Sequence, residues 1–259
     1  MTVWAIADLH LSFGVPDKAM DVFGEQWIGY TKKVEQHWKS LIQPDDLVLI
    51  AGDISWAMKV EEAKPDLEWI HALPGCKVLI RGNHDYWWES LKKIAKVLPP
   101  SMHLIQNNAF NWQHVSVAGT RLWDTPEYSF AAYVDYKHNA RAKISSEKNF
   151  AADGGGDEAE RLEDERLFAR ELARLEMSLK CLDKKATKRI AMIHYPPIGA
   201  QLYPSRTSAL LEKYRVDVCV FGHLHNIKPG IALFGESRGV AYHLTSCDYL
   251  NFTPIKVCD

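Results

Sequence analysis

Five short apolar runs, rich in valine and isoleucine, constrain the fold of this chain more than any other feature of its sequence. The runs are VWAIA at 3–7, LVLIA at 47–51, KVLIR at 77–81, RIAMI at 189–193 and VDVCVF at 216–221. Continuous apolar runs of this length are typical of strands buried on both faces, which favours parallel pairing. Segments of helical period lie between them, at about 20–41, 65–73 and 87–97. This alternation predicts an α/β fold.

The second half of the chain adds further strands, one long helix and one segment without a clear period. HVSVAG at 114–119 predicts a strand, and residues 158–182 carry apolar side chains at the spacing of an amphipathic helix. Three shorter strands are predicted at 230–235, 239–245 and 252–257, in a second sheet packed on the first. The aperiodic segment at about 121–157 is long for a loop, so we expect an insertion or lid within a single domain spanning 1–259.

Polar residues follow each of the five buried runs. They are Asp8 and His10, Asp53, Asn83 with His84 and Asp85, His194, and His223 with His225. Because the carboxyl ends of parallel strands lie along one edge of a sheet, we expect these side chains to meet in one crevice. Glycines at 52, 82 and 222 directly precede three of these groups, which predicts tight turns that need positive φ or close backbone approach.

The residue types in this crevice indicate a metal centre. Carboxylate, imidazole and amide oxygen, without thiolate, are ligands for a divalent cation of intermediate softness. Seven such groups exceed the four or so that close one site, so two metals that share a carboxylate are the simplest interpretation. Asp53 is the candidate for that bridging position.

The order of these motifs resembles that of the calcineurin-like metallophosphoesterases. DLH, GD, GNHD, a lone histidine in HYPP, and GHLH occur in that family's order between residues 8 and 225. The resemblance implies a four-layer α/β/β/α sandwich of two packed mixed β-sheets flanked by helices. It also implies hydrolysis of a phosphomonoester or phosphodiester by a hydroxide that bridges two metal ions.

The resemblance also implies a role for each motif residue. One metal would be held by Asp8, His10, Asp53 and His225, and the other by Asp53, Asn83, His194 and His223. His84 would act as a protonated hydrogen-bond donor or general acid, and Asp85 would orient it. The ligand set is compatible with two divalent ions of manganese, iron, zinc, cobalt or nickel.

Several further residues are candidates for substrate contacts, each with an alternative. Aromatic side chains near the motifs could stack on a substrate, although large aromatics are more often part of a core. The basic cluster that includes His138 and Lys143 could draw in a phosphate or could simply be a solvated face. The candidates are Trp56, Tyr86, Lys137, Arg141 and Arg206.

Composition narrows the choice of partners. Lys and Arg total 31 against 33 Asp and Glu, which gives a formal charge of −2 and no basic excess for binding duplex nucleic acid or an anionic membrane. Five cysteines without a CxxC pair argue against a disulfide framework or a thiolate zinc site. The N-terminus lacks the pattern of a secretory signal and no run is long enough to span a membrane, so we expect a cytoplasmic protein.

A small-molecule phosphoester, nucleotide or sugar-linked, is therefore the favoured substrate. The alternatives are a nuclease, a non-catalytic metal-binding scaffold for partner proteins, and a redox di-metal protein. The complete set of motif ligands and the His84–Asp85 pair favour hydrolysis over the last two. Oligomeric state is left open by the sequence.

Overall fold

The computed structural model describes residues 1–135 and 158–259, which form two β-sheets. The first sheet has the order β11 (Ile255–Cys258), β1 (Val3–Ile6), β2 (Leu47–Ile50), β3 (Cys76–Leu79) and β4 (Met102–Leu104). Strands β1 to β4 are parallel, and β11 pairs with β1 in the antiparallel sense. The first sheet is therefore mixed, with its antiparallel strand at one edge.

The second sheet has six strands and is also mixed. Its order is β5 (Ala109–Trp112), β6 (Val115–Thr120), β7 (Lys188–Ile193), β8 (Val218–Phe221), β10 (Val240–Leu244) and β9 (Gly235–Ser237). The four central strands are parallel, and the edge strands β5 and β9 are antiparallel to their neighbours.

Five α-helices lie within the described residues. They are α1 (Tyr30–Leu41), α2 (Val60–Ala72), α3 (Leu91–Ile94), α4 (Glu158–Leu179) and α5 (Arg206–Lys213). Among these residues, no helix has both the length and the apolarity required to span a bilayer.

Three apolar cores separate the layers. In β1, Ala5 faces a central core between the two sheets, whereas its neighbour Ile6 faces an outer core shared with α1 and α2. In β7, Met192 faces the central core and Ile193 faces the opposite outer core, shared with α4 and α5. Because successive side chains point to opposite faces of a strand, both faces of each sheet are buried along its central strands. This confirms the predicted α/β/β/α sandwich.

The structure corrects the sequence-based prediction in the placement of the strands. The five apolar runs do not share one sheet, because β1, β2 and β3 belong to the first sheet and β7 and β8 to the second. The last predicted strand, at 252–257, also joins the first sheet as β11. Of residues 230–235, only the final glycine is in a strand. Strands β4 and β5 and helix α5 were not predicted.

The predicted helices differ from the observed ones at both ends: the segment at 87–97 is helical only over Leu91–Ile94, and the helix predicted at 158–182 ends at Leu179. The segment at 20–41 becomes helical only at Tyr30, and short 3₁₀ turns precede it. Helix α2 starts at Val60, ahead of the predicted 65, because the Glu62 carboxylate accepts hydrogen bonds from the backbone of Met58 and Lys59 at 2.9 and 3.2 Å.

The predicted lid lies largely outside the described residues, which stop at 135 and resume at 158. Lys137, His138, Arg141 and Lys143 all fall in that interval. Residues 121–135 contain no helix, and Val134 forms an antiparallel bridge with Ile227. All five cysteines are free thiols, as the sequence predicted.

Candidate metal centre

The predicted site residues come together where the carboxyl ends of strands from both sheets meet. The two sheets are joined at this edge by backbone hydrogen bonds, including one from Ala7 to Thr245 O at 2.7 Å. Within the first sheet, Asp8 N–H donates to Gly52 O at 3.0 Å, and within the second, Gly222 N–H donates to His194 O at 3.1 Å. The loops that carry the polar residues are therefore tied to their neighbours by the backbone.

Four of the seven candidate ligands have a left-handed backbone conformation. Their φ angles are 59° for Asp8, 46° for His10, 51° for Asp53 and 75° for His223. Only a few per cent of non-glycine residues adopt positive φ, and such conformations concentrate at functional sites. The backbone at this edge is held in a shape that aims side chains at a common point, at a conformational cost.

The three glycines that the sequence singled out make room for the ligands. A Cβ added at Gly52, where φ is 94°, would lie 2.6 Å from His194 Nδ1, and one at Gly222 would lie 2.5 Å from Asp8 Oδ2. A Cβ at Gly82 would overlap the Asp53 carboxylate. Positive φ is thus required at Gly52 only, and close approach of a ligand is the constraint at all three positions.

One group of candidate ligands comprises Asp8, His10 and His225, whose ligand atoms all lie within 4.8 Å of one another. His10 Nε2 is 3.2 Å from His225 Nε2 and 3.7 Å from Asp53 Oδ2. His225 Nε2 is 3.9 Å from Asp8 Oδ1. The four residues of the first predicted ligand set therefore lie close together.

A second group surrounds His194. Its Nε2 is 2.6 Å from Asn83 Oδ1 and 3.4 Å from Asp53 Oδ2, and His223 Nδ1 is 3.0 Å from the same Asn83 oxygen. Asp8, Asp53 and His194 also satisfy the 4.8 Å limit, so both carboxylates reach this group. Asp53 Oδ2 lies between His10 of the first group and His194 of the second, which is the geometry expected of a bridging carboxylate.

The spacing and chemistry of these atoms fit divalent cations. Two ligand atoms that each lie about 2.0 to 2.2 Å from one ion are about 3 to 3.6 Å apart. The contacts of 3.2 Å between His10 and His225 and 3.4 Å between His194 and Asp53 fall in that range, whereas the 2.6 Å from His194 to Asn83 is shorter and the 3.9 Å from His225 to Asp8 is longer. Imidazole and carboxylate are ligands that zinc, manganese and iron share.

Hydrogen bonds fix the orientation of two of the imidazoles. His194 Nδ1 lies 2.9 Å from the Ala51 carbonyl, and His225 Nδ1 lies 2.8 Å from Asp248 Oδ1. Each Nδ1 therefore donates to its partner, so that in the neutral ring the Nε2 lone pair is directed at the site. Sequence reasoning missed Asp248. It follows β10, whose carboxyl end lies at the same sheet edge, so the strand-end rule applied to every predicted strand could have found it.

Burial and mutual charge shift the pKa values across the site. Burial raises the pKa of Asp8 to about 6, even though His225 and His194 oppose the shift. The pKa of Asp53 shifts in the opposite direction. Burial favours the neutral acid, but the charges of His194, His84 and His10 outweigh burial and hold the pKa well below its usual range. The charged carboxylate of Asp53 is therefore favoured.

The pKa values of the histidines also shift in two directions. Burial lowers the pKa of His10 and of His223 well below the usual value. Burial acts similarly on His194 and His225, but Asp53 and Asp8 raise the pKa of His194 to about 9, and Asp248 raises that of His225 to about 9. The neighbouring carboxylates thus favour the charged form of His194 and His225.

His84 lies at the mouth of the site. Its side chain is 19% exposed, its Nε2 is 4.0 Å from Asp53 Oδ2, and its backbone N–H donates to Asp53 Oδ1 at 2.8 Å. The buried Asp85 carboxylate accepts hydrogen bonds from Gly82 N–H at 2.7 Å, Ile54 N–H at 2.8 Å and Trp87 Nε1 at 2.9 Å. Asp85 thereby ties the loop after β3, which carries His84, to the loop after β2.

The candidate substrate contacts fall in different places. Trp56 stacks on His10, with ring centroids 4.8 Å apart, and also contacts His84 at 4.6 Å. Tyr86 is 50% exposed and its ring lies 6.4 Å from that of His84. Arg206, by contrast, forms ion pairs with Glu127 and Glu165 at the start of α5. Its charge is already balanced there, so the geometry gives no support to a substrate contact by Arg206.

The model of the calcineurin-like phosphoesterase family matches residues 1–226. No curated protein sequence that was compared is significantly similar.

Among solved structures, phosphopantetheinyl hydrolase from Mycobacterium tuberculosis is similar over 99% of this chain and 95% of its own, with 17% identity and a TM-score of 0.51. A protein of unknown function from Aquifex aeolicus is similar over 98% and 95%, with 14% identity and a TM-score of 0.46. At these identities the likeness concerns the fold alone. The family model covers most of the chain and all of the predicted ligands, and the chain therefore belongs to the calcineurin-like phosphoesterase family.

Proposed function

We propose that this protein is a metal-dependent hydrolase of a phosphomonoester or phosphodiester, with a small-molecule or nucleotide substrate. The observation that carries the proposal is the convergence of two ligand groups on the buried Asp53 carboxylate, which lies 3.7 Å from His10 and 3.4 Å from His194. Membership of the calcineurin-like phosphoesterase family supports the same reaction class.

The residues divide into two ligand sets. Asp8, His10, Asp53 and His225 would hold one divalent cation, and Asp53, Asn83, His194 and His223 would hold the other. Divalent cations in such a site act as Lewis acids and supply a hydroxide nucleophile near neutral pH. Asp53 would contribute the shared negative charge, and the bonds of His194 and His225 to Ala51 and Asp248 would keep the Nε2 atoms available to the cations.

His84 is proposed to contact the reacting phosphoryl group. Its ring contacts Trp56, its Nε2 lies 4.0 Å from Asp53 Oδ2 and its side chain is partly exposed, so it can meet a substrate that enters from solvent. There it would donate a hydrogen bond to a phosphoryl oxygen or a proton to the leaving oxygen. Asp85 positions His84 by holding the loop that carries it.

The mouth of the site favours a compact organic substrate. Trp56 and the exposed Tyr86 and Phe23 present aromatic surface beside His84, and the Phe23 and Trp56 rings are nearly parallel, 6.4 Å apart. Aromatic faces stack on planar or apolar leaving groups. The net charge of −2 offers no basic excess for a long polyanion.

The test combines metal analysis with two chromogenic esters. We expect about two divalent ions per chain after manganese loading, and turnover of p-nitrophenyl phosphate, bis(p-nitrophenyl) phosphate or both. His84→Ala should retain the metals and lower kcat by about 10²- to 10⁴-fold, the range for loss of a general acid. His114→Ala, an exposed histidine bonded to the C-terminal Asp259, is the control and should behave as wild type.

Full metal occupancy without turnover of either ester would reject hydrolysis and favour a scaffold or redox protein. Loss of metal from His84→Ala would instead make His84 a ligand.

A further inference from the structure

A cleft of about 280 Å³ lies beside the candidate metal centre and is rich in arginine. We call it the arginine cleft. Its polar lining comes from the residues that follow β3, β4 and β6 and from one face of α4. The basic side chains that line it are Arg81, Arg121, Arg170 and Arg174.

Strand order places this cleft next to the metal centre along the same edge. In the second sheet, β6 pairs with β7 so that Thr120 lies opposite Ile193, which sets Arg121 beside His194. Tyr195 N–H donates to the Arg121 carbonyl at 3.0 Å, which confirms this register. In the first sheet, Arg81 precedes Asn83 by two residues, within about 7 Å along the chain. In each sheet, therefore, an arginine lies near a candidate ligand. Arg121 lies on the strand next to that of His194, and Arg81 lies in the same turn as Asn83.

The arginines in the cleft outnumber the carboxylates. The buried Glu171 accepts from Arg174 Nη1 at 2.6 Å and Arg170 Nη2 at 3.3 Å, and Arg121 Nη2 lies 3.9 Å away. The other carboxylate in the lining, Glu89, is paired with Lys93. One carboxylate thus faces three guanidinium groups, which leaves an excess of positive charge even before Arg81 is considered.

Of the four arginines, Arg81 has the fewest hydrogen-bond and ion-pair partners. In the part of the chain that the structure describes, it forms no ion pair or hydrogen bond, and its Nε atom is buried. A buried guanidinium N–H without an acceptor is costly, so such groups usually mark a place where a ligand or ordered water binds. The planar fork of arginine matches the oxygens of a phosphate group.

We propose that the arginine cleft binds a second phosphate group of the substrate, one that is not hydrolysed, with Arg81 as its principal contact. This inference rests on the proposed phosphoesterase function and narrows its substrate to esters that carry two phosphate groups. The reacting phosphate occupies the metal centre, and the second lies one strand further along the edge. Arg121, Arg170 and Arg174, which surround Glu171, supply the positive field around it.

The test compares adenosine 3′,5′-bisphosphate with adenosine 5′-monophosphate. Each is measured as a competitive inhibitor of p-nitrophenyl phosphate turnover and by calorimetric titration of the metal-loaded protein. The wild type should bind the bisphosphate more tightly. In Arg81→Met this preference, taken as the ratio of the two constants, should fall by about 10- to 100-fold, the range for one charge-assisted hydrogen-bonded pair. Arg81→Lys, which keeps the charge but not the fork, should be intermediate.

Arg189→Met is the matched control, because it removes the same charge at the opposite end of β7, and its ratio should stay at the wild-type value. Substitution of Arg81 leaves no buried carboxylate without its partner, so we expect both variants to fold. Equal binding of the two nucleotides by wild type, or an equal loss for both in Arg81→Met, would overturn the proposal. Calorimetry reports on the cleft even if no ester is turned over, so failure of the cleft and failure of the proposed function are separable.

Discussion

At the scale of single residues, the candidate centre consists of residues whose backbone or side-chain conformation is restricted. Asp8, His10, Asp53 and His223 have positive φ, so their backbone is held in a conformation that the residue itself disfavours. Hydrogen bonds then fix the rings of His194 and His225. Such preorganisation lowers the entropy that a cation must offset when it binds.

Asp248 offers the sharpest test at this scale. Its Oδ1 accepts from His225 Nδ1 at 2.8 Å and its Oδ2 accepts from Asn226 N–H at 3.0 Å. Asp248→Asn keeps the shape but removes the charge that supports the imidazole, so we expect metal affinity to fall by about 10- to 100-fold. Competition with a fluorescent chelator measures this loss.

The control for Asp248 is Asp217→Asn, since Asp217 also accepts a backbone hydrogen bond, from Arg189 N–H at 2.7 Å, but lies at the far end of the sheet. Wild-type metal affinity in Asp248→Asn would show that the bond to His225 does not support metal binding.

At the scale of elements, the turns that end the strands determine which side chains reach the site. The strands themselves are short, four residues each in β1, β2, β3 and β8, and both of their faces are buried. Chemistry is therefore left to the loops at their carboxyl ends, where Gly52, Gly82 and Gly222 bring neighbouring backbones close to the ligands.

Gly82 tests this view because its backbone does not have positive φ, so an added methyl group acts by contact alone. In Gly82→Ala the new Cβ would overlap the Asp53 carboxylate and displace it. We expect loss of at least one of the two metals, measured by elemental analysis after gel filtration.

Gly29→Ala provides the contrast for Gly82. Gly29 precedes α1 with φ of 64° and has open space around it. Alanine there should cost about 1 to 2 kcal/mol of stability through its backbone while metal content is unchanged. If Gly82→Ala retained both metals, close approach at this turn would not govern the site.

At the scale of the whole molecule, the two sheets are held by a shared apolar core and by a shared site. Asp8, Asp53 and Asn83 come from the first sheet, and His194, His223 and His225 come from loops of the second. A cation that binds both sets therefore links the sheets at one edge. The folded state alone assembles these ligands, so binding is coupled to stability.

Removal of metal should therefore lower the melting temperature. A cation present at 100 times its Kd stabilises the fold by about 2.7 kcal/mol. For a chain of this size that corresponds to a fall of about 5 to 10 °C per site when the metal is stripped with a chelator. Differential scanning calorimetry of manganese-loaded and stripped protein measures the change.

Asp53→Asn should show a smaller metal-dependent shift, since it lacks the shared charge. Equal melting temperatures for loaded and stripped wild-type protein would contradict a link between the sheets.

The sequence by itself predicted the buried strands β1, β2, β3, β7 and β8 and the candidate ligands that follow them. A buried strand is recognisable from four to six consecutive apolar residues, and Asp8, Asn83 or His223 is recognisable from the turn that follows such a run, because both signals are local. The family and the four-layer sandwich followed from the order of those motifs.

Only the tertiary structure decided how these pieces are distributed. It divided the five runs between two sheets, placed Asp248 behind His225, paired Arg206 with Glu127 and Glu165, and left Arg81 beside the centre without an acceptor among the described residues. Each of these depends on contacts between residues far apart in the chain. A local pattern specifies that a strand is buried and that a polar residue follows it, but it does not specify which strand, charge or ring will be its neighbour.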